Sequence, residues 1–483
     1  MSLKNPKPNI IFILSDQQRW DTLGCYGQPL DVTPNLDRMA EDGVRFTHTF
    51  SCQPVCGPVR STLQTGKYPT ETGCFRNAIS LPQDEKTIAH YLREAGYSAG
   101  YIGKWHLAST SLTLHHTLES TPESDDNLEA HYESSPVPPE RRGGYADYWM
   151  AADVMEFTSH GYDGFVFDKD MNRVDFTGFR ADALTDFALD FIEENGRPVG
   201  GPAGDNPFFL FLSFVEPHHQ NDHHHYEGPK GSKDKFKDFV PPADLVGKPG
   251  DWKDEYPDYL GCCEALDRNV GRILERLGEI GLDENTLVLY ASDHGSHFRT
   301  RNRDLEDNCY DDYKRSCHEA SIRVPLIIRG PGFRGGLTVE KIISSIDFPT
   351  TILKAAGIER PAGMHGRHLQ DLTENTGSGP CGDWQDEVFI QISESQVGRA
   401  IRTKKWKYSV RAPGLSGIDH PGSDVYTEDC LYDLEADPWE SRNLAADPAF
   451  QEVRSLLAGR LKERMKEAGE PLPEIRPATL IPD

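Results

Sequence analysis

The chain has 483 residues, 37% of them hydrophobic and 27% charged, which is too long for one ordinary core and too apolar for a disordered polymer. Its 51 basic and 77 acidic residues leave a formal charge of −26, which excludes a nucleic-acid binder working through a basic face. Any bound anion must be met by a local pocket of positive charge.

The strongest apolar run, Phe208 to Phe214, falls far short of the roughly 20 residues that cross a bilayer, so no membrane partner is expected. The segment Met1-Ser2-Leu3-Lys4-Asn5-Pro6 lacks the apolar stretch of a signal peptide. That favours the cytoplasm, or the periplasm or exterior if a leader has been trimmed. Ten scattered cysteines with no CxxC pair read mainly as core thiols.

In chain order, Asn9 to Leu14 is an apolar run ending in Ser15-Asp16. Thr33-Pro34 marks a helix start, and Gly43 closes that helix. A second helix spans Thr87 to Ala95, and a second run from Tyr97 ends in Gly103-Lys104-Trp105-His106. The run Phe208 to Phe214 leads to Glu216-Pro217-His218. Leu266, Val270, Ile273, Leu274 and Leu277 form the stripe of a third helix, after which Thr286 to Ala291 ends in Ser292-Asp293-His294. Apolar runs without alternation suit strands buried on both faces. Strands alternating with helices predict a doubly wound, mostly parallel α/β sheet with helices on both faces. Ligands bind such sheets beyond the carboxyl ends of the strands, where all four runs place polar residues.

Residues 108–145 and 219–258, rich in Ser, Pro, Gly, His and charge, read as long loops over that edge and as the leaving-group pocket. A Gly/Ser/Pro stretch around 370–385 predicts a boundary between a catalytic domain, 1–375, and a C-terminal α+β subdomain, 386–483. The second has short antiparallel strands at Val388–Ile392, Trp406–Val410 and Leu431–Leu434. Its last helix carries Val453, Leu456, Leu457, Leu461 and Met465 on one face.

The most specific motif is Cys56-Gly57-Pro58-Val59-Arg60, followed by Thr65-Gly66. This C-x-P-x-R resembles the signature of the type I sulfatases of the alkaline-phosphatase-like superfamily. The resemblance continues through Ser15-Asp16-Gln17, Gly103-Lys104-Trp105-His106, Pro217-His218 and Ser292-Asp293-His294-Gly295. It extends to Lys314, His318-Glu319, Arg323-Val324-Pro325 and Leu431-Tyr432-Asp433-Leu434, with Asp437-Pro438 and Asn443-Leu444 beyond, covering nearly the whole chain.

The resemblance implies a sulfuric ester hydrolase whose Cys56 is oxidised to formylglycine by a formylglycine-generating or maturase enzyme. One hydroxyl of the hydrated aldehyde attacks sulfur, and loss of the second proton expels sulfate. The divalent cation, Ca²⁺ before Mg²⁺ or Mn²⁺, would be held by Asp16, Gln17, Asp293, His294 and modified Cys56. Arg60 would hold the diol, Lys104 and Lys314 the sulfate oxygens. His106 would handle the second diol proton, and His218 would donate to the leaving group. The chain departs from the family pattern in two places: Gln17 stands where a second acid is common, and Val59 where a small polar residue is usual. The substrate would be a small sugar or aryl sulfate.

A phosphonate monoester or phosphodiester hydrolase shares the fold, but such enzymes tend to lack the Lys and His of Gly-Lys-Trp-His. A silent carbohydrate-binding relative would have lost chemical residues that are retained here. The run His223-His224-His225 invites a second metal site, but consecutive residues do not converge on one ion, so it reads as a solvated loop.

Overall fold

The computed structural model describes residues 7–110, 132–196, 206–302, 312–373 and 384–478. The strands of the large sheet are β1 (Asn9–Ser15), β2 (Val44–Phe50), β3 (Ser98–Lys104), β4 (Tyr148–Ala152), β5 (Asp163–Asp168) and β6 (Arg173–Thr177). They continue with β7 (Phe208–Ser213), β8 (Thr286–Ser292), β9 (Arg323–Val324), β10 (Leu326–Arg329) and β11 (Leu337–Ser344). Their order is β11-β2-β10-β8-β1-β7-β3-β4-β5-β6, with β9 paired to β2. The centre, β8-β1-β7-β3-β4, is parallel throughout, while β10 and the β4-β5-β6 edge run antiparallel.

Successive strand residues point to opposite faces, and both faces are covered. Phe12, Phe211 and Leu289 pack on one side with Val59, Leu63, Ile88, Phe348 and Ile352, from the helices Cys56–Thr65, Ile88–Glu94 and Asp347–Ala355. Ile11, Ile13, Leu210, Leu212 and Val288 pack on the other with Leu36, Phe191, Leu266 and Val270, from Pro34–Asp42, Arg180–Gly196 and Trp252–Glu279. Each such side chain contributes about 1.5–3 kcal/mol by leaving water.

Register then does the positioning. Ser15 lies beside Ser292, Leu14 beside Ser213, and Gly103 beside Ser213 on the other flank. The carboxyl ends of β1, β8, β7 and β3 are therefore level, and the residues immediately after each strand share one edge. Close approach at that edge requires Gly103: its φ is +97°, and a Cβ there would stand 1.9 Å from the Ser213 carbonyl oxygen.

The smaller sheet runs β12 (Glu387–Ile392), β13 (Gly398–Thr403), β14 (Trp406–Arg411), β15 (Val425–Asp433) and β16 (Glu474–Arg476). It is antiparallel except that β16 pairs parallel with β15. The helix Gln451–Glu467 covers one face through Leu457, Leu461 and Met465. Val388, Ile390, Ile392 and Ala400 pack on the other side against Phe50, Ile322 and Ile342.

Three expectations need correction or limits. Residues 219–258 are not all loop: Ser232–Lys235 is a helical turn, and Trp252–Glu279 is one long helix that already contains Pro257. Burial of Trp252, Tyr256, Tyr259 and Leu260 against Tyr226 and Phe298 outweighs that proline's missing N–H. Leu456 does not join the apolar face of the last helix but is 64% exposed, with Arg454 buried instead. Residues 111–131 of the first loop and 374–383 of the expected boundary lie outside the described residues. Among the described residues no helix is long and apolar enough to cross a membrane, and Cys25, Cys52, Cys56, Cys74, Cys262, Cys263 and Cys317 are free thiols.

Candidate active site

Asp16 follows β1 and Asp293 follows β8, and their backbones are tied together by Asp293 N–H donating to the Ser15 carbonyl at 3.2 Å. Cys56 opens the helix Cys56–Thr65 and is buried at the same edge. One donor atom each from Asp16, Cys56, Asp293 and His294 lie within 4.8 Å of one another. The Cys56 Sγ is 3.2 Å from His294 Nε2 and 3.5 Å from Asp16 Oδ1. His294 Nδ1 donates to the Gly295 carbonyl at 3.0 Å, which turns Nε2 towards Cys56. Gln17 turns its amide nitrogen to Tyr226 Oη at 2.9 Å and Ser296 Oγ at 3.4 Å, while its backbone N–H donates to Asp293 Oδ1 at 3.0 Å.

Positive charge surrounds this knot. Arg60 donates through Nη2 to Asp16 Oδ2 at 3.1 Å and Asp293 Oδ2 at 3.4 Å, and through Nη1 to the Lys104 carbonyl and Ser213 Oγ, both at 2.7 Å. Lys104 Nζ donates to Asp16 Oδ2 at 2.8 Å and to Glu156 Oε1. Lys314 Nζ donates to Cys56 Sγ and to His218 Nε2, each at 3.0 Å. His218 Nδ1 in turn donates to the His219 carbonyl at 2.6 Å and stands 3.7 Å from Glu156. His106 reaches Cys56 with its imidazole, keeps Nδ1 buried without a partner, and sits at φ +58°.

The electrostatics arise from this packing. Burial pushes the Cys56 thiol up, but Lys104, Lys314 and His294 outweigh it and hold the sulfur well below the usual thiol range. Burial and Cys56 likewise raise the Asp16 carboxyl, and Lys104, His218 and Arg60 bring it far below the ordinary value. Asp293 moves the other way, raised by burial and by the neighbouring Asp16 charge. Glu156, buried beside Lys104 and His218, falls to about 2. Two buried carboxylates pressed together with a thiolate-prone sulfur and an imidazole lone pair make a donor set that fits a divalent cation, with oxygen predominant.

The centre floors a cleft of about 230 Å³ whose walls include Asn77, Glu133, Phe157, Asn221, Asp222 and Arg315. All ten sequence-predicted site residues are thus placed around one edge, Gln17 against the centre through its backbone. Sequence reasoning missed Glu156, and it missed Asp153, whose carboxylate accepts the N–H groups of Leu107, Ala108 and Ser109 at 2.8–2.9 Å and so holds the segment after Lys104. It also missed Asn77, which accepts the Gly57 N–H at 2.9 Å.

The sulfatase family model matches residues 8–358, and the model of the N-sulphoglucosamine sulphohydrolase C-terminal region matches 306–467. An ulvan-active sulfatase of Formosa agariphila is 31% identical, aligned over 96% of this chain and 82% of its own. An N-acetylglucosamine-6-O-sulfatase of Bacteroides thetaiotaomicron is 26% identical over 98% and 89%. The solved structure of a Bacteroides fragilis sulfatase superposes with a TM-score of 0.78 at 24% identity, covering 98% of each chain, a likeness of fold. With the family model spanning residues 8–358 and a relative of 31% identity aligned over nearly the whole chain, the chain belongs to the sulfatases and is a sulfuric ester hydrolase.

Proposed function

We propose that the chain releases sulfate from a sulfated carbohydrate, using a formylglycine made from Cys56 and one hard divalent cation, calcium before magnesium or manganese. The observation that carries this is the meeting of Cys56, Asp16, Asp293 and His294 within 4.8 Å. Asp16, Asp293, His294 and the Gln17 amide oxygen would hold the cation, which supplies Lewis acidity towards a sulfate oxygen. Position 56, once oxidised and hydrated, would supply the nucleophile.

The chain's own side chains do the rest. Lys104 and Lys314 flank Cys56 from opposite partners and present two fixed ammonium groups to an incoming sulfate, where charge builds on its oxygens. Arg60 spans both aspartates and ties them together beside position 56. His218 has its Nδ1–H held by the His219 carbonyl, and its Nε2, which accepts from Lys314 Nζ, would relay a proton from that ammonium to the departing sugar oxygen. His106, whose imidazole reaches Cys56, would take the proton whose loss resets the site.

A carbohydrate leaving group is supported by the ulvan and N-acetylglucosamine for which two relatives are named, and by the cleft's hydrogen-bonding walls, with Phe157 half-exposed among them. The test is a turnover panel with enzyme co-expressed with a formylglycine-generating enzyme. Sulfated mono- and disaccharides should outpace an aryl sulfate. Faster turnover of a phosphonate monoester would overturn the proposal.

A further inference from the structure

A second group of metal-binding side chains lies outside that centre. His160 precedes β5, while Asp222, His223, His225 and Glu227 belong to the segment after β7. His160 Nε2 is 2.9 Å from Asp222 Oδ2, and His223 Nδ1 is hydrogen bonded to Glu227 Oε1. The His160 and His223 rings stack with centroids 4.1 Å apart at 14°, and His223 and His225 stand 5.9 Å apart at 25°. The three consecutive histidines lie exposed in a loop, as expected, and His224, at φ +57°, sits between the two whose rings approach each other.

Donor atoms of His160, Asp222 and His223 lie within 4.8 Å of one another, and so do those of His223, His225 and Glu227. Each carboxylate is oriented by its second oxygen: Asp222 Oδ1 accepts from Gln220 Nε2 at 2.7 Å, and Glu227 Oε2 accepts the Gly161 N–H at 2.5 Å. Such outer contacts are what orient ligands in metal sites. His160 and His223 are about two-fifths open to solvent, so an ion has a path in. One histidine–carboxylate pair on a surface is ordinary. Here three imidazoles from two separate segments are in ring contact, with a fixed carboxylate at each end.

We propose that this cluster forms a second divalent-metal site, distinct from the first, in which one ion of the zinc class is held by His223 together with one of its two flanking pairs, His160 and Asp222 or His225 and Glu227. An imidazole-rich donor set selects zinc, copper or nickel over calcium. The ion would join the segment carrying Glu156 and Phe157 to the one carrying Asn221 and Asp222, and so brace the two sides of the cleft mouth.

The test titrates the full chain with Zn²⁺ against a chromogenic chelator, with excess calcium present to fill the first centre. One equivalent should bind saturably, weaken by at least ~10-fold in His223→Ala, and persist in Asp16→Asn. His160→Ala and His225→Ala then report which triad contributes more, and their melting curves verify folding. A Co²⁺ titration should give the visible bands of a nitrogen and oxygen site without a thiolate charge-transfer band. The proposal is overturned if no saturable binding occurs, if His223→Ala binds as wild type does, or if the cobalt spectrum carries thiolate character. Should Asp16→Asn not fold, a loss of one equivalent between wild type and His223→Ala decides the matter alone.

Discussion

At the residue scale, Lys104 has the most to reveal, because it is fully buried between Asp16 and Glu156 and serves both stability and sulfate binding. Lys104→Met should lower kcat/KM by roughly 10²–10³-fold and cost about 3–5 kcal/mol by leaving buried carboxylates unpaired. Adding Glu156→Gln should restore much of the stability in denaturant melts and none of the activity. Recovery of both together would remove Lys104 from the sulfate-binding role. His297 offers a pH-dependent test. Burial draws its imidazole down to about 4, Nε2–H donates to the Lys314 carbonyl at 2.9 Å, and Nδ1 is buried without a partner. The unfolded ring titrates near 6.5, so between these values the unfolded chain binds the extra proton. Stability from this group is therefore complete above about pH 6.5 and declines towards pH 4, by about 2 kcal/mol at pH 5. Urea midpoints at pH 7.5 and 5 should show His297→Gln losing correspondingly less than wild type; equal losses would contradict it.

At the scale of elements, Gly103 and the last helix make opposite predictions. Gly103→Ala places a methyl group against the Ser213 carbonyl at a positive φ, so it should cost about 3 kcal/mol and displace Lys104. Leu456→Lys, at an exposed position, should change the urea midpoint by less than about 0.5 kcal/mol, whereas Leu457→Ala should cost roughly 2–5 kcal/mol. The four central strands were legible because burial on both faces makes them continuous apolar runs, and the polar residues closing them announced one shared edge. Leu456 was misread because Leu457, Leu461 and Met465 repeat every four residues and set the buried stripe, from which Leu456 is turned by about a quarter of the helix. Glu156 and Asp153 were invisible for another reason. They matter only because Ala152 of β4 lies beside Lys104 of β3, a register that no local pattern encodes.

At the scale of the whole molecule, a formal charge of −26 surrounds a cleft that must admit an anion. Screening should therefore help: kcat/KM for a sulfated sugar should rise about 2-fold or more between low and physiological salt. A steep fall would mean that the field of Lys104, Lys314 and Arg60 reaches beyond the cleft. The central claim, that position 56 becomes the nucleophile beside a cation held by Asp16, Asp293 and His294, is tested most directly by one paired measurement. Sulfate release is followed alongside the mass of the peptide containing residue 56, in preparations made with and without a formylglycine-generating enzyme. The account predicts that turnover rises in proportion to the aldehyde fraction and drops by roughly 10⁴-fold or more in Cys56→Ala. Turnover that is independent of that fraction, or that survives in Cys56→Ala, would contradict it.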